Sequence, residues 1–168
     1  MNRYTVAVLV RNQFGVLNRV TSMFRRRQFN ISALTVSETE SSDYSRITVI
    51  FDGEETYKQQ LINQLYKLPD VCSIKEFNAE DSVSCELLLI KMQNDASTRE
   101  EIRAAAEAFN AKTVDYAKES IVFRLADDSR RIDDFINLMR DYTILEICRT
   151  GSVSLEKGSS TIRKVTNL

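Results

Sequence analysis

The stretch LVRNQFGVLNR (9–19) carries Asn12 and Gly15 where an alternating apolar run gives way to helical spacing. The first turn of a helix offers N–H groups with no intrahelical partner, and its dipole favours negative charge. A carboxylate can dock on the N–H groups around Gly15, Val16 and Leu17, and glycine allows close approach because no Cβ intervenes. Asn12 can turn its side-chain oxygen to an ammonium and its NH₂ to a carboxylate. One loop would then grip both ends of a zwitterionic amino acid. Asn and Gly are also ordinary turn residues, and from spacing alone a plain strand-to-helix turn is the simpler account.

Magnitudes set the terms for such a site. A helix terminus contributes about 0.3–1 kcal/mol, and hydrogen bonds to charged groups add roughly 1.5–3 kcal/mol each. Burying a small branched side chain adds about 1.5–3 kcal/mol. Micromolar binding needs about 8 kcal/mol net of ordering costs. An open loop falls short, so the site requires a second chain to close over the ligand.

Other chemistry is sparse. The chain has no histidine, the side chain best suited to proton transfer near neutral pH and the commonest metal ligand. Ser-His and Cys-His triads are therefore excluded, and neither a Walker A sequence nor GxGxxG occurs. Cys72, Cys85 and Cys148 are odd in number, lack CxxC spacing, and fit reduced thiols packed as small core hydrophobes in the cytoplasm. Arg25, Arg26 and Arg27 lack the aromatic-rich strand of an RNA-binding surface and read as a solvated helix face or subunit contact. Glu100-Glu101 and Asp133-Asp134 read as exposed helix faces rather than acid/base pairs. No catalytic site and no metal site are expected.

The elements that position the loop follow from periodicity. YTVAVLV (4–10) is a strand, and Val16, Leu17, Val20, Met23 and Phe24 recur at helical spacing after Gly15. NISALTVSE (30–38) and YSRITVIFD (44–52) are strands joined by a polar hairpin, EETYKQQLINQLYKL (54–68) is a helix ended by Pro69, and VCSIKEF (71–77) is a strand. After the polar seam NAEDSV (78–83) the order repeats: strand 85–92, helix 97–111 with a capping box from Ser97 to Glu100, strands 113–119 and 120–126, helix 129–142, strand 144–150. The expected fold is α+β, two βαββαβ units of ferredoxin-like plan at 1–78 and 79–158, with a flexible tail at 159–168. Such small units, with open faces and edges, invite association, and at least a dimer is expected.

Composition agrees with a globular chain: 168 residues, 43% hydrophobic, 28% charged, and a formal charge of -1 that gives no general attraction to nucleic acid or acidic membranes. The apolar run in MNRYTVAVLVRNQ is too short to span a bilayer and lacks a cleavage-type signal, so it reads as part of the fold.

A resemblance sharpens the loop. The segment VLVRNQFGVLNRVTSMFRRRQFNISALTV (8–36) resembles the N-terminal ACT domain of the acetolactate synthase (acetohydroxyacid synthase) small, regulatory subunits. It carries the asparagine loop ending in Gly-x-Leu (Asn12, Gly15, Leu17), then Arg19-Val20, then Phe29-Asn30-Ile31 and Leu34-Thr35-Val36. The likeness continues through SRITVIF (45–51), QLYKLPDV (64–71), ELLLIKM (86–92) and CRTGSVSLEKG (148–158).

The resemblance implies a non-catalytic subunit that activates a separate catalytic subunit bearing thiamine diphosphate, magnesium and FAD. It further implies feedback inhibition, usually by valine, in branched-chain amino acid biosynthesis. The effector would lie between the ACT domains of a homodimer, held by Asn12, Gly15, Val16 and Leu17 of one chain and by Asn30 and Ile31 of the other. A free-standing ACT-type sensor acting on a different enzyme is the alternative. The family commonly has glycine after the helix where this chain has Gln28, which must take a left-handed conformation or end the helix differently.

Overall fold

The computed structural model describes residues 2–163. Its chain contacts resolve into two compact units, one running to Val83 and resuming at Val153, the other from Ser84 to Ser152.

The first unit contains β1 (Asn2–Arg11), α1 (Val16–Arg26), β2 (Ala33–Glu38), β3 (Tyr44–Gly53), α2 (Glu55–Leu65) and β4 (Val71–Phe77). The strands pair antiparallel in the order β2-β3-β1-β4. Alternation along the strands sends Val6, Val8, Val10, Ile47, Val49 and Phe51 to one face. There they meet Val20, Met23 and Phe24 of α1 and Leu61 and Leu65 of α2 in a closed core.

In the second unit β5 (Ser82–Gln93), α3 (Arg99–Ala108), β6 (Lys112–Tyr116), β7 (Ser120–Asp127), α4 (Ser129–Met139) and β8 (Ile144–Arg149) repeat the plan, with strand order β6-β7-β5-β8. Leu88, Ile90, Met92, Phe123 and Leu125 face Ile102 and Ala106 of α3 and Ile132, Phe135 and Met139 of α4. The α+β fold of two βαββαβ units is thus the observed architecture.

Each unit also holds a charged knot in the same place, where the central strand, the last strand and the second helix meet. In the first, Lys58 pairs with Glu76 at 2.6 Å and Glu55 at 2.7 Å and lies over the Tyr4 ring. In the second the signs are exchanged: Glu86, 3% exposed, receives Arg149 Nε at 2.5 Å and the Ser129 hydroxyl at 2.7 Å, while Arg149 also pairs with Asp133. Burial pushes the Glu86 carboxyl up, but the hydrogen bonds from Arg149 and Ser129 outweigh it and hold the group below its ordinary pKa.

Several boundaries differ from expectation for local reasons. β2 begins at Ala33, so Asn30 and Ile31 lie in the approach to the strand. α2 ends at Leu65, because the N–H groups of Lys67 and Leu68 turn to the carbonyls of Gln64 and Leu65 ahead of Pro69. The Ser97–Glu100 capping box does not form: Thr98 is the N-cap, without a side-chain cap bond, and the Asp95 carbonyl takes the N–H groups of Thr98 and Arg99.

All three cysteines are exposed rather than in the core. Cys148 stands opposite Leu89 on the sheet face away from the helices, and Cys85 shares the phase of Leu89 along β5.

β9 (Val153–Glu156) pairs with β5, as a continuation of the repeat would, while its contacts group it with the first unit. There Glu156 pairs with Lys75 of β4 at 2.7 Å, and Arg46 of β3 donates to the Ser154 carbonyl. Within the expected tail, Arg163 pairs with Glu40 at 3.1 Å and lies over the Tyr44 ring; residues 164–168 lie outside those described.

Candidate functional site

The loop after β1 is built from its backbone outward. The Arg11 N–H donates to the Asp70 carbonyl at 2.9 Å and the Asn12 N–H to the Asp43 carbonyl at 2.7 Å, so both flanking loops are tied to the end of β1. The chain then reverses through Gln13 and Phe14 to Gly15, the N-cap of α1, at φ 80. That left-handed conformation is the physical reason for a glycine here. A Cβ would find Arg19 Nη1 at 3.5 Å, ordinary contact, so space is not the constraint.

Two features prepare the helix start for an anion. Among the described residues, no backbone carbonyl accepts the N–H of Gly15, Leu17 or Asn18, and the first turn of α1 contains no acidic residue. The Val16 N–H is already directed to the Gln13 carbonyl at 3.3 Å and its side chain is in the core, so Val16 shapes the site from beneath. Asp70, whose carbonyl holds the Arg11 N–H, is 8% exposed and neutralised by Arg19 Nε at 2.7 Å.

Asn12 departs from one expectation. Its Nδ2 donates to the Ser42 carbonyl at 2.9 Å and to Glu38 Oε1 at 3.3 Å, so the amide nitrogen serves the β2–β3 hairpin and does not face a ligand carboxylate. Oδ1 remains as the acceptor for a cationic donor. Phe14, fully exposed, and Leu17, 43% exposed, add apolar surface to a hollow also lined by Asn12, Gln13, Gly15, Asn18 and Thr21. Glu38, Ser42, Asp70 and Arg19 are the supporting residues that sequence reasoning missed. The contacts Asn12–Glu38, Asn12–Ser42 and Arg19–Asp70 join residues far apart in sequence, and nothing local marks them.

Asn30 and Ile31 are not brought to this loop within one chain. They follow the other end of α1, whose eleven residues put about 16 Å between its ends. The Asn30 N–H is fixed by the Tyr57 hydroxyl at 2.8 Å, its side chain is exposed, and Ile31 packs partly into the core. Gln28 does take the left-handed conformation, φ 57, and the Phe29 N–H closes on the Phe24 carbonyl at 2.9 Å. The helix therefore ends as a glycine-capped one would, at the cost of strain in a non-glycine residue.

A central strand, an Asn-to-Gly loop with open N–H groups and a ferredoxin-like sheet give this chain a clear set of relatives. Residues 6–73 match the model of the AHAS small subunit-like ACT domain, and residues 85–158 that of the small subunit of acetolactate synthase. A probable acetolactate synthase small subunit of Archaeoglobus fulgidus is 41% identical over 157 residues, covering 94% of this chain and 98% of that protein. The chain belongs to the acetolactate synthase small-subunit family. Other members of the family include the acetolactate synthase small subunit of Bacillus subtilis, 39% identical with 92% of this chain and 90% of that protein covered. The crystal structure of the acetolactate synthase small subunit from Thermotoga maritima superposes with a TM-score of 0.87 at 31% identity, over 95% of this chain and all of that one. The first unit of this family member is accordingly an ACT domain. Among the described residues, no helix is long and apolar enough to cross a membrane.

Proposed function

We propose that this chain is a regulatory, non-catalytic subunit that activates a separate acetolactate synthase catalytic subunit and makes it sensitive to feedback inhibition by valine. The catalytic subunit would supply thiamine diphosphate, magnesium and FAD; this chain would supply the effector site. The observation that carries the reading is the α1 entrance: open N–H groups at Gly15, Leu17 and Asn18, with the Oδ1 acceptor of Asn12 beside them. These two poles suit the carboxylate and ammonium of one amino acid, and Leu17 and Phe14 offer apolar surface to a branched side chain.

A homodimer through the ACT domains completes the site. Asn30 and Ile31 lie at the far end of α1, so the chain that brings them to the loop is a second copy. Valine would favour one dimer geometry, and inhibition follows if the catalytic subunit has a different affinity for the two geometries.

The test is a reconstituted synthase assay with Gly15→Asp. The new carboxylate competes for the helix N–H groups and repels the ligand's own, so we expect activation to persist and valine inhibition to vanish. Inhibition retained at the wild-type valine concentration would defeat the assignment. Failure to activate any acetolactate synthase catalytic subunit would point instead to a free-standing sensor of another enzyme.

A further inference from the structure

The second unit repeats the asparagine loop but keeps it closed. The same number of positions separates Asn12 from Asn94 as separates Gln28 from Asn110, and Asn110 also ends its helix at φ 57. Asn94 follows β5 as Asn12 follows β1. Its N–H donates to the Glu119 carbonyl at 3.0 Å, and its Nδ2 to the Ala117 carbonyl at 2.7 Å, the counterparts of Asp43 and Ser42. In both loops a hairpin carbonyl holds the amide nitrogen and leaves Oδ1 to accept.

What Oδ1 accepts is visible in the second loop. Arg99, the first residue of α3 and the counterpart of Leu17 at the same sequence offset, donates from Nε to Asn94 Oδ1 at 2.7 Å and from Nη2 toward the Asn94 carbonyl at 3.4 Å. Asn94 is 5% exposed, so this charge-assisted bond is sheltered. Two further differences close the loop to an anion. The first turn of α3 carries Glu100 and Glu101, and the Arg99 N–H is taken by the Asp95 carbonyl at 2.9 Å, whereas no backbone carbonyl accepts the Leu17 N–H among the described residues.

We propose that Asn94, its Oδ1 aimed by the Ala117 carbonyl, forms a second cation-binding site for a guanidinium or alkylammonium group, occupied by the chain's own Arg99. The side chain is tethered five residues along the chain from its acceptor, so a free amino acid cannot displace it at ordinary concentrations. The protomer then has two asparagine loops of one design, one open and one filled. The corollary of one effector per protomer rests on the reading that the first loop binds valine.

The test uses the full chain. Arg99→Ala should lower the Tm by about 5 °C or more, and methylguanidinium should restore it. The double variant Asn94→Ala/Arg99→Ala should not be restored. Equal rescue of single and double variants, or no rescue of the single one, overturns the site. Should Arg99→Ala fail to fold, the Arg99 Nε–H signal of the wild-type protein decides by NMR: slow exchange with water supports the bond, and exchange as fast as an exposed arginine overturns it. Calorimetry with valine should give one molecule per protomer, lost in Gly15→Asp; two per protomer overturns the occupancy. No valine binding at all would overturn the effector reading, while the methylguanidinium result still decides Arg99.

Discussion

The Asn12 side chain donates to the Ser42 carbonyl at 2.9 Å, so a residue of the proposed effector loop is aimed by a hairpin thirty positions away. The same hairpin is also held by Arg163, which pairs with Glu40 and lies over the Tyr44 ring. The acceptor offered to a ligand is thus set by tertiary contacts around the loop as much as by the loop itself.

Asn12→Ala removes the Oδ1 acceptor together with the bonds donated to the Ser42 carbonyl and Glu38. We expect valine affinity to fall at least about tenfold, since a bond to a charged group contributes roughly 1.5–3 kcal/mol. The loss of thermal stability should stay near about 1 kcal/mol, because the site is exposed. Calorimetric titration and thermal unfolding measure the two separately, and a large unfolding effect with unchanged affinity would contradict the role given to Asn12.

Gly15→Ala tests the backbone alone, since its Cβ meets nothing closer than Arg19 Nη1 at 3.5 Å. The left-handed conformation should cost about 1–2 kcal/mol, read as a lower denaturation midpoint with unchanged slope. A cost near zero would mean that the loop relaxes to another conformation.

Gln28→Gly should stabilise the protein by about 1 kcal/mol, because Gln28 holds φ 57 that glycine adopts freely. Asn110→Gly should gain less, as asparagine tolerates this region better. Equal gains at the two positions would argue against backbone strain as the cause.

Glu86 makes the second unit sensitive to acid. Its folded pKa lies below the ordinary value of 4.5, so its stabilisation is fully present above that pH and is lost as pH falls through the folded pKa. Unfolding midpoints should therefore drop steeply below pH 4.5, and Glu86→Gln should flatten that dependence. The substitution should also cost about 1–3 kcal/mol near neutral pH, because the charge-assisted bond to Arg149 is weakened while Arg149 keeps Asp133. An acid slope unchanged in Glu86→Gln would place the sensitivity elsewhere.

Much of this protein is written in local pattern. Strict alternation in YTVAVLV and the helical spacing of Val16, Val20, Met23 and Phe24 determine β1 and α1, because each face must be buried or wet as a whole. The repeat of the βαββαβ order and the turn at Gly15 follow likewise from residue types in sequence, whereas which way the helix ends at Gln28 came from the structure. Tertiary structure decided what local spacing does not encode. It turned the Asn12 amide toward Ser42, left the three cysteines exposed, and joined β9 to β5 while grouping it with the first unit. It also filled the second asparagine loop with Arg99, a contact no spacing announces. Which acceptor a polar side chain meets depends on how separate strands and loops converge, and that convergence is a property of the packed sheet rather than of any one segment.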